Sequence, residues 1–301
     1  MKHRFFRGFL CAALCLVLAL SAAGCQAKGQ AVNLMEKLSA LTVSDRTLGI
    51  EGAFTALSDI TDGKADPALV GRWVSADGRT AYTYAADGTE RVESEDYGSF
   101  DTKFTCITRE GYRVLCEEAQ MTDPDAEGGT AESTVLAYTA YRVENDVLYL
   151  TTVERAADSD VYGSFQAALV MMFRTDASGS PAAAIAKNPI ALDSLNGTWS
   201  GDTGDFTIEN GTLKTGSDSF ALSFDERNRL VAEKDGQTTA YGMNIIACRT
   251  YGDWADKTVR MGLYYTGADE SDKPNLLPLL DDWKTEYGWE DWYYTGGFEL
   301  Q

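Results

Sequence analysis

Leu69-Val70-Gly71-Arg72-Trp73 and Leu195-Asn196-Gly197-Thr198-Trp199 share one spacing of leucine, glycine and tryptophan, and they begin 126 positions apart. The residues downstream of each also match. Tyr82-Thr83-Tyr84 leads to Asp87-Gly88-Thr89 in the first stretch, and Phe206-Thr207-Ile208 leads to Asn210-Gly211-Thr212 in the second. The outer two residues of each triplet share a face of an extended chain, as a half-buried strand requires. Asp-Gly and Asn-Gly supply the positive φ of a tight hairpin turn. The chain therefore carries an internal repeat, and the repeated unit is built of strands.

Working outward, residues 135–143, the turn Glu144-Asn145-Asp146 and residues 147–153 read as a hairpin, and a strand over 165–173 is expected to close the first sheet. In the second unit Phe220, Leu222 and Phe224 alternate before a turn at 225–228. Residues 175–194 are rich in alanine, serine and proline and read as a linker. Upstream, Asn33-Leu34-Met35-Glu36 has capping-box spacing, with Leu34, Leu38 and Leu41 on one helical face. Ile50, Phe54 and Leu57 form a second stripe that predicts a second short helix. The expected fold is mainly β: two tandem small antiparallel β-barrels or half-barrels at 69–174 and 195–301, after a short helical segment within 25–68. Two ordinary β-sandwich or meander domains, with Trp73 and Trp199 as core, are the alternative.

The leucine-x-glycine-x-tryptophan opening, the aromatic strand and the Asp/Asn-Gly-Thr hairpin together resemble the lipocalin-like domains of bacterial surface lipoproteins. The resemblance implies barrels with a tryptophan plugging one end, and ligand binding with no catalytic residues to carry over. A second resemblance lies at the N-terminus. Lys2, Arg4 and Arg7 precede an uncharged apolar run, residues 9–20, that closes on Ser21-Ala22-Ala23-Gly24-Cys25. A charged start, a short apolar core and small residues before a cut are the parts of a signal peptide. With cysteine at the cut, they resemble the lipobox of bacterial lipoproteins, although Ala22 stands where leucine is commonest. That implies removal of residues 1–24, diacylglycerol on Cys25, and a membrane anchor facing outside the cytoplasm; an ordinary secretory peptide is the alternative. Two acyl chains make such an anchor stable where one would not.

Three of the 26 basic residues and none of the 46 acids lie before Cys25, which leaves a formal charge of −23 after it. Nucleic acid and anionic lipid heads are repelled by such a surface. The one histidine is His3, so Ser-His-Asp and Cys-His pairs and His-ligated zinc are excluded downstream. No cofactor is expected.

Three cysteines remain after Cys25. Cys106 and Cys116 flank a turn, and a hairpin centred on Gly111 would set them opposite one another for a disulfide, while Cys248 reads as a small buried hydrophobe. Asp123, Asp125, Glu127 and Gly128 imitate half of a calcium loop, but Thr134 occupies the place of its bidentate acid. A solvated acidic loop is the better reading. Trp283, Tyr287, Trp289 and Trp292 interleave with Asp281, Asp282, Glu286, Glu290 and Asp291. Rings beside carboxylates are a candidate ligand surface for a neutral glycan, a small molecule or a cationic peptide, though an amphipathic closing element has the same pattern. The expectation is a non-enzymatic, lipid-anchored binding protein. A structural or interaction lipoprotein of the cell envelope without a pocket is the alternative, and a His-free carboxylate glycoside hydrolase a remote one.

Overall fold

A computed structural model describes residues 31–95, 98–123, 131–156, 164–201, 204–250, 258–264, 277 and 297–301, with backbone only at 120–123, 131–134, 164, 165, 249, 250, 264, 297 and 298. It contains two closed, eight-stranded antiparallel barrels in tandem. In the first, the strands Gly71–Ser75 (β1), Thr80–Tyr84 (β2), Thr89–Ser94 (β3), Gly98–Arg109 (β4), Tyr112–Asp123 (β5), Ala131–Glu144 (β6) and Val147–Thr152 (β7) follow one another by hairpins. Ser164–Ala168 (β8) does not join them. Val170–Arg174 (β9) pairs with both β7 and β1 and closes the barrel.

The second barrel runs Gly197–Gly201 (β10), Gly204–Glu209 (β11), Thr212–Thr215 (β12), Asp218–Phe224 (β13), Leu230–Lys234 (β14), Gln237–Thr250 (β15), Thr258–Tyr264 (β16) and Gly297–Leu300 (β17), which returns to β10. Closure removes the sheet edges that would otherwise invite pairing with another chain. One edge stretch remains. β15 is long: residues 237–241 pair with β14, and residues 246–250 outrun it and are covered by β8. The strand expected over 165–173 is thus divided at Leu169, with its first half serving the second barrel and its second half the first.

The repeat is structural as well as sequential. Trp73 and Trp199 are fully buried, and each indole N–H donates to the carbonyl of the leucine four residues earlier, Leu69 at 2.7 Å and Leu195 at 2.9 Å. Gly71 and Gly197 have φ of 130° and 152°, and a Cβ on Gly71 would meet the Arg174 guanidinium at 2.8 Å while one on Gly197 would run into Leu300. Only glycine fits both demands. The lids differ between units. Arg174 lies over the Trp73 ring at 4.2 Å and donates to the carbonyls of Val70 and Ala68, at 2.9 and 2.7 Å. Leu300 holds the equivalent register position beside Trp199.

The helix Leu34–Leu41 (α1) is capped as its sequence demands, with the Asn33 side chain accepting from the Glu36 amide at 3.0 Å. Its buried face, Leu34, Leu38 and Leu41, packs against β7 of the first barrel and β15 of the second. The stripe at Ile50, Phe54 and Leu57 is not a helix. Gly49 and Gly52 take φ of 67° and 62°, which a helix cannot contain, and a single 3₁₀ turn, Leu57–Asp59, is what forms. The segment read as a linker is ordered by the short helix Ala182–Lys187 (α2) and by Asn188, whose amide donates to Asn145 and Ala184 carbonyls.

Candidate functional site

The strand register decides the fate of the thiols. β4 and β5 are joined by a two-residue turn at Glu110 and Gly111, both at positive φ (48° and 83°), so Cys106 pairs with Leu115 and Cys116 with Thr105. A turn centred on Gly111 would have paired the cysteines. This one-residue difference sends them to opposite faces of the sheet. Cys106 faces the barrel interior with Leu115 and Tyr141, and Cys116 faces outward into the core shared with α1. Both are free and buried, as is Cys248, and burial pushes the Cys116 thiol up to about 12. The expected cross-strand disulfide is therefore replaced by two inert thiols.

The interior of the first barrel is occupied by Trp73, Tyr84, Phe104, Leu115, Tyr141 and Leu148, and that of the second by Trp199, Phe206, Ile208, Leu213, Phe220 and Tyr241. One polar group breaks the first interior. The turn at 85–88 sets Glu90 opposite Tyr84 and hence inward, and Glu117, opposite Phe104, also points in. Their carboxyls hydrogen-bond one another, and the Tyr84 hydroxyl bonds to Glu90. Glu90 is 2% exposed, and its Oε2 has no partner among the described residues. Burial first, and the Glu117 charge second, push Glu90 up to about 10; burial raises Glu117 as well. Tyr82 is pushed up to about 12 and Tyr84 well above its ordinary value by the same burial and the same acids. The pair holds a proton at neutral pH.

Free space lies between the barrels. A cavity of about 210 Å³ is walled by Leu169, Val170, Met171 and Phe173 from the crossover and β9, by Met243 and Ile245 from β15, and by the β13–β14 turn, Arg227, Asn228 and Arg229. Ser75, Ala76 and Asp77 from the end of β1 complete the rim. The turn owes its shape to Asp225, whose carboxylate accepts from the Arg227 and Arg229 amides, both at 2.9 Å, and from Arg229 Nε at 2.7 Å. These bonds hold the Asp225 carboxyl below its ordinary value against the opposing effect of burial. Asn228 adopts φ of 56°, and its Nδ2 is buried with no partner among the described residues. Val170 is 42% exposed, so an apolar side chain stands at the mouth.

Cys25, the aromatic set Trp283, Tyr287, Trp289 and Trp292, and the calcium-like loop from Asp125 to Gly128 lie outside the described residues. The cavity was not legible in advance, because Asp225 to Asn228 read only as a turn and the other walls come from separate segments. Glu90 carried no signal either: a two-residue Asp87-Gly88 turn would pair it with Ala85, whereas the turn that forms sets it opposite Tyr84. Among the described residues no helix is long and apolar enough to cross a membrane. Set against protein-family models, curated proteins and solved structures, the chain matches none of them.

Proposed function

We propose that the chain is an exported, non-enzymatic binding protein, anchored by diacylglycerol on Cys25 and facing outside the cytoplasm, whose small-molecule site is the cavity between the barrels. The supporting observation is where the space lies: the described side chains of both barrel interiors pack against one another, while the junction holds an open cavity with Val170 exposed at its mouth. Ligand pockets run from about 300 to 1,000 Å³, so a cavity of about 210 Å³ suits a ligand of few atoms. Neutral glycans and cationic peptides remain partners for the C-terminal aromatic segment.

The anchor is tested by Cys25→Ala, which should release the protein from membranes or leave an unprocessed precursor; wild-type fractionation and processing would sink the anchor. The site is tested by Val170→Trp. That side chain starts exposed on a strand end, so a larger ring closes the mouth without entering the core. Binding of small aromatic probes should fall at least tenfold with the melting temperature unchanged, and undiminished binding would move the site elsewhere.

A further inference from the structure

The cavity carries a guanidinium on one side, and that group narrows the ligand. Arg227, Asn228 and Arg229 are consecutive on the β13–β14 turn, and all three line the space. Arg229 is held by Asp225, which fixes the turn. Arg227 is exposed and makes no ion pair among the described residues. A guanidinium presents five N–H groups in a fork that matches a carboxylate. The facing acid, Asp77, is partly used: its Oδ1 accepts from the Ser75 hydroxyl at 2.6 Å and from the Arg79 amide at 3.1 Å. Opposite the donors the wall is apolar, made by Leu169, Phe173 and Ile245.

Resting on the reading of this cavity as a ligand site, we infer that its ligand is a small organic carboxylate, with its apolar body against β9 and β15 and its carboxylate on Arg227. The chain-wide charge does not oppose this. Charges farther away than the Debye length, about 8 Å at physiological salt, are largely screened, so the donors at the wall decide selectivity.

The test uses three probes of one shape: 3-phenylpropionate, 3-phenylpropionamide and 3-phenylpropylamine, titrated calorimetrically into the full chain and its Arg227→Gln variant. Arg227 is an exposed turn residue whose structural bond is made by its backbone amide, so the variant keeps the fold. The carboxylate should bind at least tenfold tighter than the amide, with the amine weakest. Arg227→Gln should remove the carboxylate's advantage over the amide. Equal binding of carboxylate and amide, or tightest binding of the amine, overturns the carboxylate assignment and leaves the cavity as a ligand site of another class. Failure of all three probes at millimolar concentration overturns both.

Discussion

Trp73→Ala is expected to cost about 3–5 kcal/mol, the range for removing a buried tryptophan. More than a void is created. The indole N–H bond to Leu69 is lost, and the Arg174 guanidinium, stacked on the ring at 4.2 Å, is left over empty space at the barrel end. Since domains are stable by only about 5–15 kcal/mol, the change consumes a large part of the total. Trp73→Phe separates the contributions, because it keeps a ring beneath Arg174 and removes the donor, for about 1–2 kcal/mol. Denaturant titration of both variants gives the answer, and a loss below about 1 kcal/mol for the alanine would mean that the tryptophan is not a plug. Trp199, with the same indole bond but a leucine lid, should show the same alanine cost without the cationic contribution.

The second large effect is on pH dependence. Glu90 has its folded pKa raised from 4.5 to about 10, so between those values the folded chain binds a proton that the unfolded chain has lost. Stability from this group is fully present below about pH 4.5 and drains away as pH rises toward 10, at up to about 1.4 kcal/mol per pH unit. From pH 6 to pH 8 the wild type should therefore lose about 2–3 kcal/mol, where ordinary carboxylates no longer titrate. Glu90→Gln keeps the shape and removes the ionisation, so it should be more stable than wild type at pH 8, no more stable at pH 5, and flatter between. Urea midpoints across this range decide it; a wild-type stability constant from pH 6 to 9 would show that the pair carries no such burden.

The part of the fold that could be read from the sequence was local. Glycine and tryptophan at fixed spacing, with hairpin turns of Asp-Gly and Asn-Gly, give strands and their faces because both patterns act within a few residues. Closure of each sheet needed partners far apart, β1 with β9 and β10 with β17, and alternation alone does not choose partners. The cysteines show how little separates success from error. Glu110 in a left-handed conformation is an uncommon turn residue, and misplacing the turn by half a residue inverts the faces of everything after it. At 165–173 the alternating pattern was genuine, but nothing in it marks Leu169 as the place where the chain changes barrels. The cavity was harder still, since its walls come from six segments far apart in the chain.

That crossing at Leu169 changes what the repeat is. Tandem copies of a closed barrel are ordinarily separable beads, free to be duplicated, lost or exchanged as units. Here eleven residues, 164 to 174, begin as cover for β15 and end as the stave between β7 and β1 that carries Arg174 to Trp73. The cover of one bead is drawn from the thread that completes the other. The two copies differ in their lids, yet this one segment ties them together, and a single unfolding transition is the expected result.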